Sequence, residues 1–366
     1  MTKRILIIGG TYFLGKAFAE LMLAETDAEL VLLHRGTAQS LYGESAALES
    51  PGSGTAQSPS GESAAPESSG SGTAQSPSEG KDMAPGSSGR VREYLADRHD
   101  ISALRKFSMI SASDGAYAGT GNSGQFVEET PHFDAIVDFC AYAPGDIDTL
   151  LQNINADADR YIFISTCDVY ERGTGKLQNE EAPLEYRDFG GEAGAYISGK
   201  VALEKEIASA CEKKGCAYTV LRPVFIYGPG NYAPREGMYF HWIDNAGQII
   251  HPMDADGEFQ LVFVKDVARA IKLVIENDTA KKQCYNVCSD IMYTYDSFAS
   301  LLVKATEKAF EKAEVTVADI NAKGIPLPFP LTQAETNHYD GSKLNSLGMK
   351  YTDDVTAMRN TYLYSK

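Results

Sequence analysis

The chain has 366 residues, and its 50 acidic against 33 basic side chains give a formal charge of −17. That balance repels nucleic acid and anionic membranes over most of the surface, and the length allows two ordinary domains. The six cysteines form no C-x-x-C pair and the histidines are scattered, so reduced thiols and no metal are expected. No run approaches transmembrane length, and a cytoplasmic protein without membrane or nucleic-acid partners is the expectation.

The first predicted element is the apolar run Arg4-Ile-Leu-Ile-Ile8, which breaks at Gly9-Gly10 and resumes with helical period over 13–24. A strand, a tight glycine turn and a helix opening aim unpaired backbone N–H groups and the positive helix end at a pyrophosphate. Gly9, Gly10, Thr11, Tyr12, Phe13, Leu14 and Gly15 are therefore the candidate cradle for a dinucleotide. Residues 29–33 form a continuous apolar run of the buried-strand kind and complete a βαβ unit. It ends in Leu33-His34-Arg35 with no carboxylate. Arg35 is read either as a partner for the extra phosphate of NADP or as a solvated loop arginine.

Thr-Ala-Gln-Ser then recurs at Thr37, Thr55 and Thr73 within a Ser-, Gly-, Ala-, Pro- and Glu-rich stretch over 37–89. The copies share no apolar positions that could stack, so a disordered low-complexity insertion is expected, with a smaller one over 108–130. Beyond these, strands are predicted at 91–96, 134–139, 160–164 and 217–221. Helices are predicted at 101–107, 144–154 and 196–214, with Pro144 in a first turn. The alternation implies an α/β fold with a doubly wound parallel sheet. From Arg222 onward it fails, and Pro, Gly and Tyr crowd 223–235. A dinucleotide-binding domain over 1–222 is expected, followed by a smaller α/β lobe over 223–366 that mainly binds substrate, with some segments returning to the first core. Asp266 is expected to cap a helix.

Ligands of such sheets lie at the carboxyl ends of the strands. Tyr196-x-x-x-Lys200 sets a phenol and an ammonium on one helical face, where the cation favours phenolate and hence proton exchange with a hydroxyl or carbonyl. The same spacing recurs at Tyr12/Lys16, Tyr339/Lys343 and Tyr362/Lys366. Only Tyr196 follows a strand end bearing hydroxyls, Ile164-Ser-Thr-Cys-Asp-Val-Tyr170, by thirty positions counted from Thr166.

These residues, with Gly-Gly-Thr-x-Phe-Leu-Gly at the first turn, Asp97-Arg98, and Leu221-Arg-Pro-x-x-x-Tyr-Gly-Pro-Gly-Asn231, resemble the extended short-chain dehydrogenase/reductase family, in particular its NAD-dependent epimerase/dehydratase members. The resemblance implies a Rossmann sheet, NAD or NADP as cofactor, a sugar nucleotide as substrate and a homodimer. It implies Tyr196 as general acid/base, Lys200 as its tuner and a ribose contact, and Thr166 as the hydrogen-bond partner of the reacting hydroxyl, with Ser165 in support. The cofactor would also meet Arg35, Asp97, Arg98, Ala141 and Pro223. Substrate would meet Thr166, Tyr196 and Arg235, the last at a phosphate. Tyr12 stands where the family often has glycine, so its side chain must turn away from the phosphates. A sugar-nucleotide epimerase is the leading expectation. A reductase or dehydrogenase using NADP and a 4,6-dehydratase with Asp168 as base are alternatives, and a relative that binds RNA or senses redox state is a fourth.

Overall fold

The computed structural model describes residues 2–36, 89–107 and 130–366. The two expected insertions, all but their last residues, lie outside the described residues. Seven parallel strands form the central sheet: β1 (Arg4–Ile8), β2 (Glu29–His34), β3 (Val91–Leu95), β4 (Ala135–Asp138), β5 (Arg160–Ile164), β6 (Ala217–Pro223) and β7 (Gln283–Val287). Their spatial order is β7-β6-β5-β4-β1-β2-β3, so the winding reverses between β1 and β4 and opens a crevice there.

Strand alternation sorts the core into two layers. Ile5, Ile7, Leu30, Leu32, Val137 and Ile162 face one side and pack with helices α1 (Phe13–Glu25) and, further along the chain, Val264–Glu276. Leu6, Ile8, Val31, Leu33, Ile136 and Phe163 face the other. There they meet α2 (Ile101–Arg105), α3 (Asp146–Asn153) and α4 (Gly191–Lys214). Continuous apolar runs in the strands are thus explained by burial on both faces.

Two helix starts differ from the sequence reading. Pro144 precedes α3 instead of opening it, because Gly145 takes the left-handed conformation at φ +88° and serves as N-cap. Helix α4 begins at Gly191, so Tyr196 stands in its second turn. The run Gly-Gly-x-x-Gly over 190–194 has low helix propensity and reads as loop, yet tertiary packing carries the helix through it.

After β6 the chain builds the second lobe from α5 (Glu236–Ala246) and short parallel pairs, Phe225–Tyr227 with Leu261–Phe263 and Gln248–Pro252 with Glu311–Val315. It then returns through α6 (Val264–Glu276) and β7 to the sheet. An aromatic cluster centres the lobe, with Phe259 and Phe329 stacked at 4.0 Å. Asp266 does not cap α6, whose N-cap is Phe263. Buried inside the first turn, Asp266 instead accepts from Thr352 N and Oγ1 and from Arg269, tying α6 to the C-terminal segment. Arg160 is likewise buried, its guanidinium donating to the carbonyls of Val274 and Asn277 at the end of α6. Arg160→Met is expected to cost about 2 kcal/mol by orphaning those carbonyls, read as a lower urea midpoint with the cleft unchanged.

Candidate active site

A cleft of about 1090 Å³ runs along the carboxyl ends of β1, β4, β5 and β6 and is closed on the far side by the second lobe. At its β1 end Gly9 turns the chain at φ +81°, a conformation that disfavours a side chain. Gly15 lies so close to the turn that a Cβ would stand 2.7 Å from Gly10 Cα and 2.9 Å from Gly9 O. This packing leaves the start of α1 at the cleft wall, which Gly9, Tyr12, Phe13, Leu14 and Gly15 line. The cradle fits a pyrophosphate. Tyr12 is 59 % exposed, and its ring meets that of Tyr232, also on the cleft, at 5.4 Å.

Tyr196, Lys200 and Thr166 line the same cleft, as do Arg35, Pro223 and Arg235. Of the four Tyr-x-x-x-Lys pairs, only Tyr196/Lys200 has both members on it. Lys200 Nζ is buried and donates to the carbonyls of Ala141 at 2.8 Å and Ile164 at 2.9 Å. Burial lowers its pKa to about 8, partly offset by the Asp138 and Cys140 side chains. The ammonium lies 5.7 Å from the Tyr196 ring centre and 4.6 Å from that of Tyr142.

Tyr196 keeps 38 % of its surface open along the cleft. Its hydroxyl is enclosed, and that burial pushes its pKa up. The Asp168 carboxylate adds to the rise, and a hydrogen bond with Thr166 opposes it. Asp168 is itself paired with Arg172, Nη2 to Oδ1 at 3.0 Å. The phenol is therefore protonated in this state, because burial outweighs the lowering expected from the Lys200 ammonium.

Other expected cofactor residues stand off the cleft wall. Gly10 and Thr11 pack beneath the turn, where a Cβ on Gly10 would meet Ile7 Cγ2 at 2.5 Å. Ala141 contributes only its carbonyl, held by Lys200. Asp97 accepts from His99 N at 2.8 Å. Arg98 turns inward: Nη1 meets Asp138 Oδ1 at 3.0 Å and Nη2 meets Asp146 O at 2.9 Å. Asp138 also receives Tyr161 OH at 2.5 Å and Cys140 N at 2.9 Å, so this buried knot fixes the loop that presents Cys140 and Tyr142 to the cleft.

Several cleft residues escaped the sequence reading: Cys140, Tyr142, Arg172, Tyr232 and the segment 327–331. Arg172 had a local signal, four residues after Asp168. Cys140 and Tyr142 follow the carboxyl end of the strand expected at 134–139, whereas Tyr232 and the segment 327–331 reach the cleft through the fold. Among the described residues, no three His, Cys, Asp or Glu side chains gather as a metal site, and no helix is long and apolar enough to cross a membrane.

Residues 125–288 match the model of the NAD dependent epimerase/dehydratase family. The glycine turn lies outside that match. Among curated proteins, the chloroplast stem-loop binding protein of 41 kDa b from Arabidopsis thaliana is 26 % identical over 306 residues, covering 83 % of this chain. The chain spans 63 % of that relative's length. Among solved structures, the UDP-glucose 4-epimerase of Thermotoga maritima with UDP-glucose shares the fold at TM-score 0.64 and 15 % identity, covering 99 % of this chain and 98 % of that one. The UDP-glucuronic acid 4-epimerase of Bacillus cereus, bound to UDP-glucuronic acid and NAD, does so at TM-score 0.62 and 14 % identity, with the same coverage. The match over residues 125–288, the doubly wound sheet and the glycine turn agree, and in these features the chain resembles the NAD dependent epimerase/dehydratase family.

Proposed function

We propose that the protein is an NAD(P)-dependent epimerase that inverts a carbon of a sugar nucleotide by transient oxidation of a ring hydroxyl. The observation that supports this most is the meeting of Tyr196, Lys200 and Thr166 on the cleft that also takes the glycine turn. When bound, the dinucleotide supplies a reversible hydride acceptor. Thr166 holds the reacting hydroxyl, and Tyr196, as phenolate, takes its proton and later returns it. Lys200 stabilises that phenolate through its charge, and its carbonyl partners fix where the charge sits. Arg235, with Nη1 on Ile226 O at 3.0 Å, lines the lobe side of the cleft and suits a diphosphate. The test is to denature the purified protein, identify released dinucleotide by mass spectrometry, and incubate the native protein with UDP-hexoses and UDP-hexuronic acids. Retained dinucleotide with interconversion of a 4-epimer pair supports the reading; an empty protein that binds neither NAD nor NADP sinks it.

Asp168 is the residue a 4,6-dehydratase would use as base, but its carboxylate is engaged by Arg172. No keto-deoxy product is therefore expected from a nucleotide hexose; its formation, abolished by Asp168→Ala, would replace the epimerase reading. The same carboxylate raises the pKa of Tyr196. Asp168→Asn removes that negative charge, so phenolate forms at lower pH and the rising limb of the pH–rate profile should move toward acid.

Arg35 is exposed at the cleft wall beyond β2. Arg35→Ala is expected to weaken NADP binding about tenfold, the worth of one charge-assisted hydrogen bond, and to leave NAD within about twofold. Equal loss for both, measured by calorimetry, would remove Arg35 from cofactor choice.

A second reading rests on the curated relative, whose printed name is that of a stem-loop binder. It supports RNA binding, against which stands the charge of −17. Tight binding of an RNA hairpin that weakens steeply with salt, by a protein that turns over no sugar nucleotide, would favour this reading.

A further inference from the structure

The segment 165–170 carries Thr166 and Asp168, and its one piece of regular structure is the short turn Cys167–Val169. A buried ion pair anchors it from both sides. Glu204 lies on α4 at four-residue spacing from Lys200 and eight from Tyr196, so all three share a face of the helix. Its carboxylate accepts from Ser165 Oγ at 2.5 Å and from Arg222 Nε at 2.9 and 3.1 Å. Arg222, near the end of β6, donates from Nη1 to Tyr170 OH at 2.7 Å, and its carbonyl accepts from Cys167 Sγ at 3.0 Å. Tyr170 OH in turn donates to Asn286 Oδ1 on β7 at 2.6 Å. The residues before and after Thr166 are therefore tied to one Glu204–Arg222 pair that joins α4 to the sheet. The pair's side chains are only 4 % and 7 % exposed. A buried ion pair stabilises a fold little better than apolar residues of equal volume, because desolvation offsets the attraction. What it does supply is direction, since each hydrogen bond fixes one atom of the segment.

We infer that Glu204 and Arg222 are positioning residues, which act through Ser165, Cys167 and Tyr170 to hold Thr166 at the hydroxyl of Tyr196. The catalytic consequence rests on the epimerase reading, whereas the geometric one stands without it. The phenol carbon of Tyr196 senses the hydrogen bond with Thr166. Full-length protein labelled at the tyrosine ζ-carbon, with Tyr196→Phe to assign the resonance and Thr166→Val to mark the unbonded position, reads that bond at neutral pH.

Ser165→Ala removes one hydroxyl and is the mild variant; Glu204→Gln keeps an acceptor for Ser165 and removes the charge. Both are expected to move the Tyr196 resonance toward the Thr166→Val position. Turnover should fall about tenfold with KM and dinucleotide content unchanged, as befits misplacement of a group that is still present. Ser165→Thr, which restores the hydroxyl, should recover both readings. A Ser165→Ala protein with the wild-type resonance would overturn the inference, whatever its unfolding midpoint. Wild-type protein that turns over no sugar nucleotide would count against the epimerase reading alone, because the resonance still decides the positioning role.

Discussion

Tyr196→Phe is expected to lower turnover about a thousandfold while leaving dinucleotide content and KM within about twofold. The phenol meets Thr166 and its ring lies beside the Lys200 ammonium. Phenylalanine keeps the ring and its packing against Tyr142 at 6.2 Å, so the change removes the hydroxyl alone, with its proton and its hydrogen bond to Thr166. A loss below about tenfold would move the acid–base role elsewhere. In the proposed reaction Lys200 sets the other limb of the pH dependence. Its pKa is lowered from 10.5 to about 8, so the ammonium is lost as pH rises through about 8 and support for the phenolate fades above that point. The sign for stability is opposite. Burying the ammonium costs stability where both folded and unfolded chains are protonated, and this cost diminishes between about pH 8 and 10.5.

Gly199→Ala is expected to cost the fold about 3 kcal/mol and to lower turnover with it. A Cβ at Gly199 would stand 2.0 Å from Tyr142 O and 3.2 Å from Tyr142 C. The obstacle is backbone, which no rotamer change relieves. Helix α4 and the loop after β4 must then separate, and that loop holds Ala141, whose carbonyl grips Lys200. The urea midpoint should fall and the pKa of Lys200 should change as its carbonyl partners are lost. An unchanged midpoint would falsify the view that this close approach holds the lysine.

Sequence alone carried the doubly wound sheet, because apolar runs of strand length alternating with helical periods record which faces are buried. It carried the turn at Gly9-Gly10 as well, where only residues without side chains meet the conformation and the contact. It placed Tyr196, Lys200 and Thr166 on elements that end at one side of the sheet. Among four identical spacings it singled out Tyr196/Lys200 by the hydroxyl-bearing strand end thirty positions before Tyr196. It did not show what holds the lysine there, the carbonyls of Ala141 and Ile164, which lie 59 and 36 residues away.

Arg98, Asp266 and the start of α4 show the same division. Arg98 follows a strand end, as a cofactor contact would, yet Asp138 lies 40 residues beyond it and draws the guanidinium inward. Asp266 sits in a first turn, as an N-terminal acid would, yet Thr352, 86 residues on, takes its carboxylate. Gly191 opens a helix against its propensity because α4 is held by the sheet. Local pattern determined the elements and their buried faces. The tertiary structure decided the partners of each charged and hydroxyl side chain, because a buried polar group must find a hydrogen bond wherever the fold offers one.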